Sequence, residues 1–218
     1  PAAAARPSLV TVQGVVRVPA RLLAEAGGAL IGKVRIYRLA QEAALRPLPG
    51  ADVHLADARG EALPGLPRVR TDAAGRFELP GVPDGLTYQV IAHAPTTSGG
   101  RATLRGLAKP GAGEIAVGLG TTMVATALLD PSQGLGQLDQ GALQALADRV
   151  EAELPASRTP DLARDEAVAA SVEAMLAEDA GLRMEVETLK RRLAENGLSP
   201  EAQRARVREA LPGAPTGG

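Results

Sequence analysis

Cysteine is absent from this chain of 218 residues, and aromatic side chains are nearly absent. Without cysteine the protein has no disulfide, no thiolate metal ligand and no cysteine nucleophile. The aromatic residues are Tyr37, Phe77 and Tyr88. Surfaces that stack on sugars or bases need exposed rings, so this composition argues against a nucleic-acid binder and against a typical carbohydrate-binding module.

Long apolar runs are also lacking. No stretch reaches the roughly 18 to 20 apolar residues that a membrane-spanning helix needs, so we expect no membrane span in this chain. The formal net charge is only −1, but its distribution is uneven. Residues 1–138 carry 14 Lys/Arg and 10 Asp/Glu, whereas residues 139–218 carry 10 Lys/Arg and 15 Asp/Glu. Opposite charges on the two parts favour contact between copies or docking within one chain, and a helix-rich part is ordinarily richer in Glu.

Short apolar segments bounded by Gly, Pro and Asp fill the first half of the chain. Segments of this kind are typical of strands in a small antiparallel β-sandwich. The expected strands are residues 9–18, 29–39, 50–55, 69–71, 76–79, 88–92, 101–107 and 114–119. Gly14 is expected to mark a β-bulge. In the turn that follows residue 71, Asp72 is expected to accept backbone N–H bonds and Gly75 to take a positive φ.

The sequence of these strands and turns is similar to a known family. The motifs are Gly50-Ala51-Asp52-Val53-His54-Leu55 with Asp57-Ala58-Arg59-Gly60, then Thr71-Asp72-Ala73-Ala74-Gly75-Arg76-Phe77, then Gly81-Val82-Pro83-Asp84-Gly85 and the strand that begins at Tyr88. They resemble the carboxypeptidase regulatory-like domains, over roughly residues 9–119. The resemblance implies a transthyretin-like or prealbumin-like β-sandwich. It also implies a scaffold or interaction module that is not itself a catalyst. The start at Pro1, together with this resemblance, favours an exported protein whose signal peptide has been removed.

The second half of the chain has helical periodicity. A short helix is expected at residues 123–129, and an amphipathic helix, charged or capped by Asp139, at residues 138–154. One long amphipathic helix is expected at residues 160–196 and a shorter one at residues 200–211. We therefore predict an α+β protein with five parts: a tail (1–8), a seven- or eight-stranded antiparallel prealbumin-like β-sandwich (9–119), a short helix with a Gly-rich linker (120–137), a helical region (138–211) and a second tail (212–218).

The long helix carries an apolar stripe with heptad-like spacing. Its residues are Val168, Val172, Met175, Leu182, Val186, Leu189 and Leu193, and the pattern is broken once, at Asp179. Two interpretations remain open. The stripe either packs inside one chain or packs against another copy of the chain.

No motif indicates a catalytic or metal centre. The two histidines, His54 and His93, are far apart in sequence, and the alternation around His54 predicts that it faces solvent. None of the serines lies in a Gly-x-Ser-x-Gly or Ser-x-x-Lys arrangement. We expect no cofactor and no enzymatic activity.

The sequence therefore predicts a non-catalytic, exported structural protein at the cell surface or outside the cell, with other copies of itself as its partners. Self-assembly would use the N-terminal strand and the helical stripe and would build a filament or a surface layer. The candidate interface residues are Val10, Val12, Val15, Val168, Val172, Met175, Leu182, Val186, Leu189 and Leu193. The alternative is a monomeric cell-surface or lipoprotein accessory module that binds a polysaccharide or a partner protein.

Overall fold

The computed structural model describes residues 8–23, 44–97, 99–154, 158–195 and 197–211. In these residues eight strands precede five α-helices, which confirms the α+β class. The strands are β1 (Leu9–Pro19), β2 (Leu45–Pro47), β3 (Asp52–Ala56), β4 (Arg68–Arg70), β5 (Arg76–Pro83), β6 (Tyr88–Pro95), β7 (Arg101–Ala108) and β8 (Ile115–Val117). The helices are α1 (Leu119–Leu128), α2 (Gln140–Glu153), α3 (Asp165–Glu178), α4 (Ala180–Ala194) and α5 (Pro200–Ala210).

The strands form two four-stranded sheets. In the first sheet β1 pairs antiparallel with β2 and β5 and parallel with β8. The second sheet has the order β4-β3-β6-β7, and all of its pairs are antiparallel. Seven of the predicted strands occur. The predicted strand at residues 29–39 and both predicted tails lie outside the described residues, and the short strand β2 was not predicted.

The turn between β4 and β5 follows the prediction. One carboxylate oxygen of Asp72 accepts hydrogen bonds from the backbone N–H groups of Ala74 and Arg76, both at 2.8 Å. Gly75 has a φ of +73°, and a Cβ there would stand 2.5 Å from the carbonyl oxygen of Val16. This turn therefore needs glycine both for its dihedral angle and for its close approach to β1.

The prediction of a bulge at Gly14 is wrong. The pairing of β1 with β5 shifts register between Val10 and Val12, whereas Gly14 lies in regular register opposite Phe77. A Cβ at Gly14 would stand only 2.4 Å from the Phe77 ring. Glycine is required there because the ring of Phe77 fills the space that a side chain would take.

The second sheet has two chemically different faces, because side chains alternate along each strand. One face carries Val53, Leu55, Val90, Ala92 and Leu104, all of them buried in a hydrophobic core that also includes residues of the first sheet and the helices. The other face carries charged and polar side chains of all four strands. We call it the polar face and define it by Asp52, His54, Arg68, Arg70, His93, Arg101, Thr103 and Arg105.

Two helices replace the predicted single long helix, so that prediction is wrong. The break falls at Asp179, whose backbone is extended and whose carboxylate accepts a hydrogen bond from the N–H group of Leu182 at 2.9 Å. An aspartate satisfies an otherwise unpaired N–H group when it caps a new helix, an option that the helix interior does not offer. The predicted Asp139 cap of α2 is confirmed, since its carboxylate accepts from Ala142 N–H at 3.1 Å.

Helix α5 is bound to the sheets by buried polar contacts. Asp57, at the end of β3, is completely buried, and its carboxylate accepts hydrogen bonds from the backbone N–H groups of Arg59 and Glu61. Arg204 of α5 pairs with the second oxygen of the same carboxylate at 2.7 to 2.8 Å. The neighbouring Gln203 donates to the carbonyl oxygen of Thr87 at 2.8 Å. These contacts join residues more than a hundred positions apart.

Leu182→Ala is expected to lower the free energy of unfolding by about 2 to 5 kcal/mol, because Leu182 is fully buried and the substitution leaves a cavity. Met184, two residues away on the same helix, is 71% exposed, and Met184→Ala is expected to cost less than about 0.5 kcal/mol. Urea unfolding followed by circular dichroism measures both. Equal, small effects would contradict the burial of this stripe within one chain.

Candidate functional site

Strand register assembles the polar face from residues that are distant in sequence. Arg68 lies opposite His54 in the β4–β3 pair, and His54 lies opposite Ile91 in the β3–β6 pair. Ile91 in turn lies opposite Arg105 of β7. A second row, one step along the strands, runs through Arg70, Asp52, His93 and Thr103. The histidines therefore occupy the two central strands, with arginines on both outer strands.

The two imidazole rings stack on each other. Their centroids are 5.5 Å apart, and the angle between the ring planes is 30°. His54 is only 7% exposed, so the expectation that it faces solvent is wrong. The alternation along β3 is as predicted, but the ring of His54 is shielded by neighbouring side chains of its own face, among them the stacked ring of His93. In the described residues no hydrogen bond reaches the ring of His54, whereas Nδ1 of His93 lies 3.3 Å from the Thr103 hydroxyl.

Burial and positive charge both lower the pKa of these histidines. The pKa of His54 falls to about 4, first because of burial and then because of Arg68, His93 and Arg101. The pKa of His93 is also lowered, first by burial and then by Arg101 and Arg105, while Asp52 acts weakly in the opposite direction. Both rings are therefore neutral near pH 7, and each offers one N–H donor and one acceptor nitrogen.

Arginine is the dominant charge on the polar face. Arg70 contacts Asp52 at 2.9 Å, and Arg101 approaches the other oxygen of the same carboxylate at 3.8 Å. Arg105 pairs with Asp165, at the start of α3, at 2.8 Å. Arg68 is exposed and forms no ion pair within the described residues. Four guanidinium groups thus meet two carboxylates, which leaves an excess of positive charge when the histidines are neutral.

A glycine brings the loop after β3 onto one end of this face. Gly60 has a φ of +80°, and a Cβ built on it would stand 3.4 Å from a terminal nitrogen of Arg105 and 3.6 Å from the amide oxygen of Gln89. Gln89 is completely buried, and its amide has no hydrogen-bond partner within the described residues. The loop therefore closes over the guanidinium of Arg105 and the buried amide beneath it.

The contact between Thr103 and His93 lacks the features of a nucleophilic triad. The carboxylate of Asp52 is bound to Arg70 and Arg101, and no hydrogen bond joins it to His93 in the described part of the chain. A triad requires a carboxylate that orients the imidazole, and this arrangement does not supply one. Among the described residues no group of three or more His, Asp or Glu side chains is placed to hold a metal ion. None of the described helices is long and apolar enough to cross a membrane.

The candidate interface residues occupy covered positions in this chain. Val12, Val15, Val168, Val172, Leu182, Val186, Leu189 and Leu193 are each at most 7% exposed, whereas Val10 and Met175 are partly buried. Strand β1 is paired with three strands of its own chain. The helical stripe therefore packs inside one chain, one of the two interpretations that the sequence leaves open. Met175 borders a mostly apolar groove of about 350 Å³ beside the end of α2.

The sequence reasoning missed the arginines of the polar face. Their signal is a repeat of two residues: Arg68 and Arg70 alternate with Val69, and Arg101, Thr103 and Arg105 alternate with apolar residues. This alternation marks polar faces on β4 and β7. Only the pairing of these strands with β3 and β6 brings the arginines to the histidines.

No family model matches the chain, and no curated protein or solved structure was found to be similar to it.

Acidification is expected to destabilise the fold through His54. The unfolded chain takes up a proton near pH 6.5, whereas folded His54 resists protonation until about pH 4. The stability that the neutral ring contributes is therefore complete above pH 6.5 and is lost as the pH falls from 6.5 towards 4. The loss is on the order of 3 kcal/mol, because each unit of difference between the folded and unfolded pKa corresponds to about 1.4 kcal/mol. Urea unfolding at a series of pH values measures it.

His54→Gln keeps a polar amide at this position but cannot titrate, so it is expected to flatten the decline in stability between these pH values. His93→Gln is expected to flatten it as well, since the pKa of His93 is also lowered. An unchanged slope in the His54 variant would contradict a neutral, buried His54.

Proposed function

We propose that this chain is a non-catalytic interaction module that binds an acidic segment of a partner protein through the polar face. The charge of this face carries the proposal: four guanidinium groups, on the two outer strands β4 and β7 of one sheet, face two carboxylates in the described part of the chain. Excess positive charge on an accessible face steers anionic partners and selects them over neutral ones. Arginine also binds carboxylates in a bidentate geometry, which adds specificity.

Composition favours a protein partner over a polysaccharide. Sugar recognition usually relies on exposed aromatic rings, yet Phe77 and Tyr88 are at most 3% exposed, and Tyr37 lies outside the described residues. Acidic protein segments need no stacking platform, because carboxylates bind guanidinium groups directly. This proposal develops the accessory-module interpretation of the sequence.

We propose that the first half of the chain is a prealbumin-like β-sandwich of the carboxypeptidase regulatory-like kind, and three features support this proposal. The Asp72 turn has the hydrogen bonds that its motif requires, seven predicted strands occur, and both sheets contribute to one core. Domains of this family serve as scaffolds and interaction modules. The same resemblance supports the proposal that the protein acts outside the cell or at its surface.

Binding to poly-L-glutamate tests the acidic-partner proposal. The double variant Arg68→Gln with Arg101→Gln removes two exposed guanidiniums from the polar face, and affinity is expected to fall about tenfold at low salt. Fluorescence anisotropy of a labelled polymer measures the dissociation constant. Binding of the unmodified protein is also expected to weaken steeply as salt is added, because the contact is electrostatic.

A matched control distinguishes an effect of the polar face on affinity from an effect of net charge alone. Arg183 of α4 and Arg206 of α5 are exposed and form no ion pair in the described part of the chain, and their double replacement by Gln changes the net charge equally. We expect this control to bind within about twofold of the unmodified protein. Equal losses in both double variants would sink the assignment to the polar face.

Self-assembly is a second candidate, and the charge of α3 favours it. This helix carries Asp165, Glu166, Glu173 and Glu178, all exposed, and has no Lys or Arg. An acidic helix on one copy is complementary to the polar face of the next. Contacts of this head-to-tail kind build open filaments when the rotation between copies does not close a ring. If the acidic partner is another copy of the chain, binding through the polar face produces the self-assembling structural protein that the sequence predicts.

Light scattering and sedimentation test the second candidate, self-assembly. If it is correct, particle size rises with protein concentration at low salt, and Glu166→Gln with Glu173→Gln restores a monomer of 22.3 kDa. The control is Glu187→Gln on α4 with Glu195→Gln directly after it, which removes two other exposed carboxylates and should leave the size unchanged. A monomer under all conditions overturns self-assembly and leaves the first proposal standing.

A further inference from the structure

The centre of the polar face holds a buried polar group without a partner. His54 is 7% exposed, and in the described residues no hydrogen bond reaches either nitrogen of its ring. The ring nitrogens of His54 are not among the completely enclosed side-chain atoms that lack a partner in the described residues, so they remain within reach of solvent on this face. A small ligand that reaches the polar face can therefore contact them.

Donors surround this ring on several sides. Arg68 lies directly opposite His54 on β4 and has no ion-pair partner in the described part of the chain. Arg101 lies close enough that its charge, like that of Arg68, lowers the proton affinity of His54. The ring of His93 stacks against His54 and adds a further N–H group. Donors from β3, β4, β6 and β7 therefore converge at this spot.

We propose that a single phosphate or sulfate group binds at this spot, held by Arg68, Arg101 and the imidazole N–H groups of His54 and His93. This inference rests on the proposed binding of an acidic partner and names the group that the partner would place at the centre of the face. A tetrahedral oxyanion offers at least three acceptor oxygens, whereas a carboxylate offers two. Two guanidiniums and two ring donors therefore match the oxyanion better.

Asp52 helps to build the site instead of competing for it. Its carboxylate is engaged by Arg70 and, at 3.8 Å, by Arg101, so it holds the Arg101 side chain beside the histidines. Arg105 is bound to Asp165 and closes the far side of the face. The unpaired guanidinium of Arg68 is left to contact the anion.

The site predicts linkage between anion binding and protonation. An anion beside the rings favours their charged forms, so it raises both histidine pKa values and binds more tightly as the pH falls. The charged groups that act on the rings are Arg68 of β4, Asp52 of β3, and Arg101 and Arg105 of β7, and Arg105 is itself paired with Asp165 of α3. Sulfate is the cleaner probe for this dependence, because the charge of phosphate itself changes near pH 6 to 7.

The chain has only two histidines, so NMR spectra of the imidazole groups report on the site directly. The experiment titrates the whole chain with inorganic phosphate, with sodium sulfate and with sodium chloride of equal ionic strength. We expect saturable shifts of both rings with the two oxyanions, with dissociation constants on the order of 1 to 10 mM. Arg68→Gln should weaken binding at least fivefold, whereas Arg206→Gln should leave it unchanged. Shifts that chloride reproduces, or that Arg68→Gln leaves intact, overturn the site.

Poly-L-glutamate binding by the same samples separates this inference from the proposed function. If the oxyanions leave the ring signals unchanged while the polymer still binds and depends on Arg68, the oxyanion site is wrong and the interaction module stands. If neither probe binds, both proposals fail. Because Arg68 is exposed, its replacement should leave the fold intact, and circular dichroism verifies this.

Discussion

Burial of β6 on both of its faces is the constraint on which the rest of this structure depends. Every residue from Tyr88 to Ala92 is buried, on the aliphatic face and on the polar face alike. A central strand of this kind needs cover on each side of its sheet. Core residues shared with the first sheet cover the aliphatic face. On the polar face, the loop at Gly60 lies against Gln89 and Arg105, and Asp165 of α3 pairs with Arg105, so this end of the face is covered while the end with Arg68 and Arg101 stays exposed.

Polar side chains fix where these helices begin and where they attach. Asp179 divides one apolar stripe between α3 and α4, and the fully buried Asp57 binds Arg204, whose side chain is partly exposed. A buried ion pair is weak evidence of stability, yet removal of one partner is costly because the other charge is left unpaired. Hydrogen bonds of this kind are directional, so each of these contacts requires one position of the helix that makes it.

The strands and turns could be predicted from the sequence because their signals are local. The hydrogen bonds of Asp72 and the positive φ of Gly75 depend on residues within one turn. The sequence shows Asp179 as an interruption of the apolar stripe. It does not show that one helix ends there and another begins, because the free energies of a capped new helix and of a continuous helix differ only slightly. The polar face could not be predicted, because it depends on register between strands. His54 and His93 are 39 positions apart, and only the pairing of Asp52 with His93 brings the two rings together.

The contact between Asp57 and Arg204 has a consequence for the order of folding. Asp57 and Arg204 are separated by 147 positions. The parallel pairing of β1 with β8 joins Gly14 to Ile115, which is roughly a hundred positions away. Contacts of such long range form only after the loop between them has closed, which slows folding. During synthesis Arg204 is added long after Asp57, so α5 cannot pack on the sheets until its own residues have been made. A chain with this arrangement completes its structure only after the residues of α5 have been released, and until then its sheets stay accessible to any machinery that handles unfolded polypeptides.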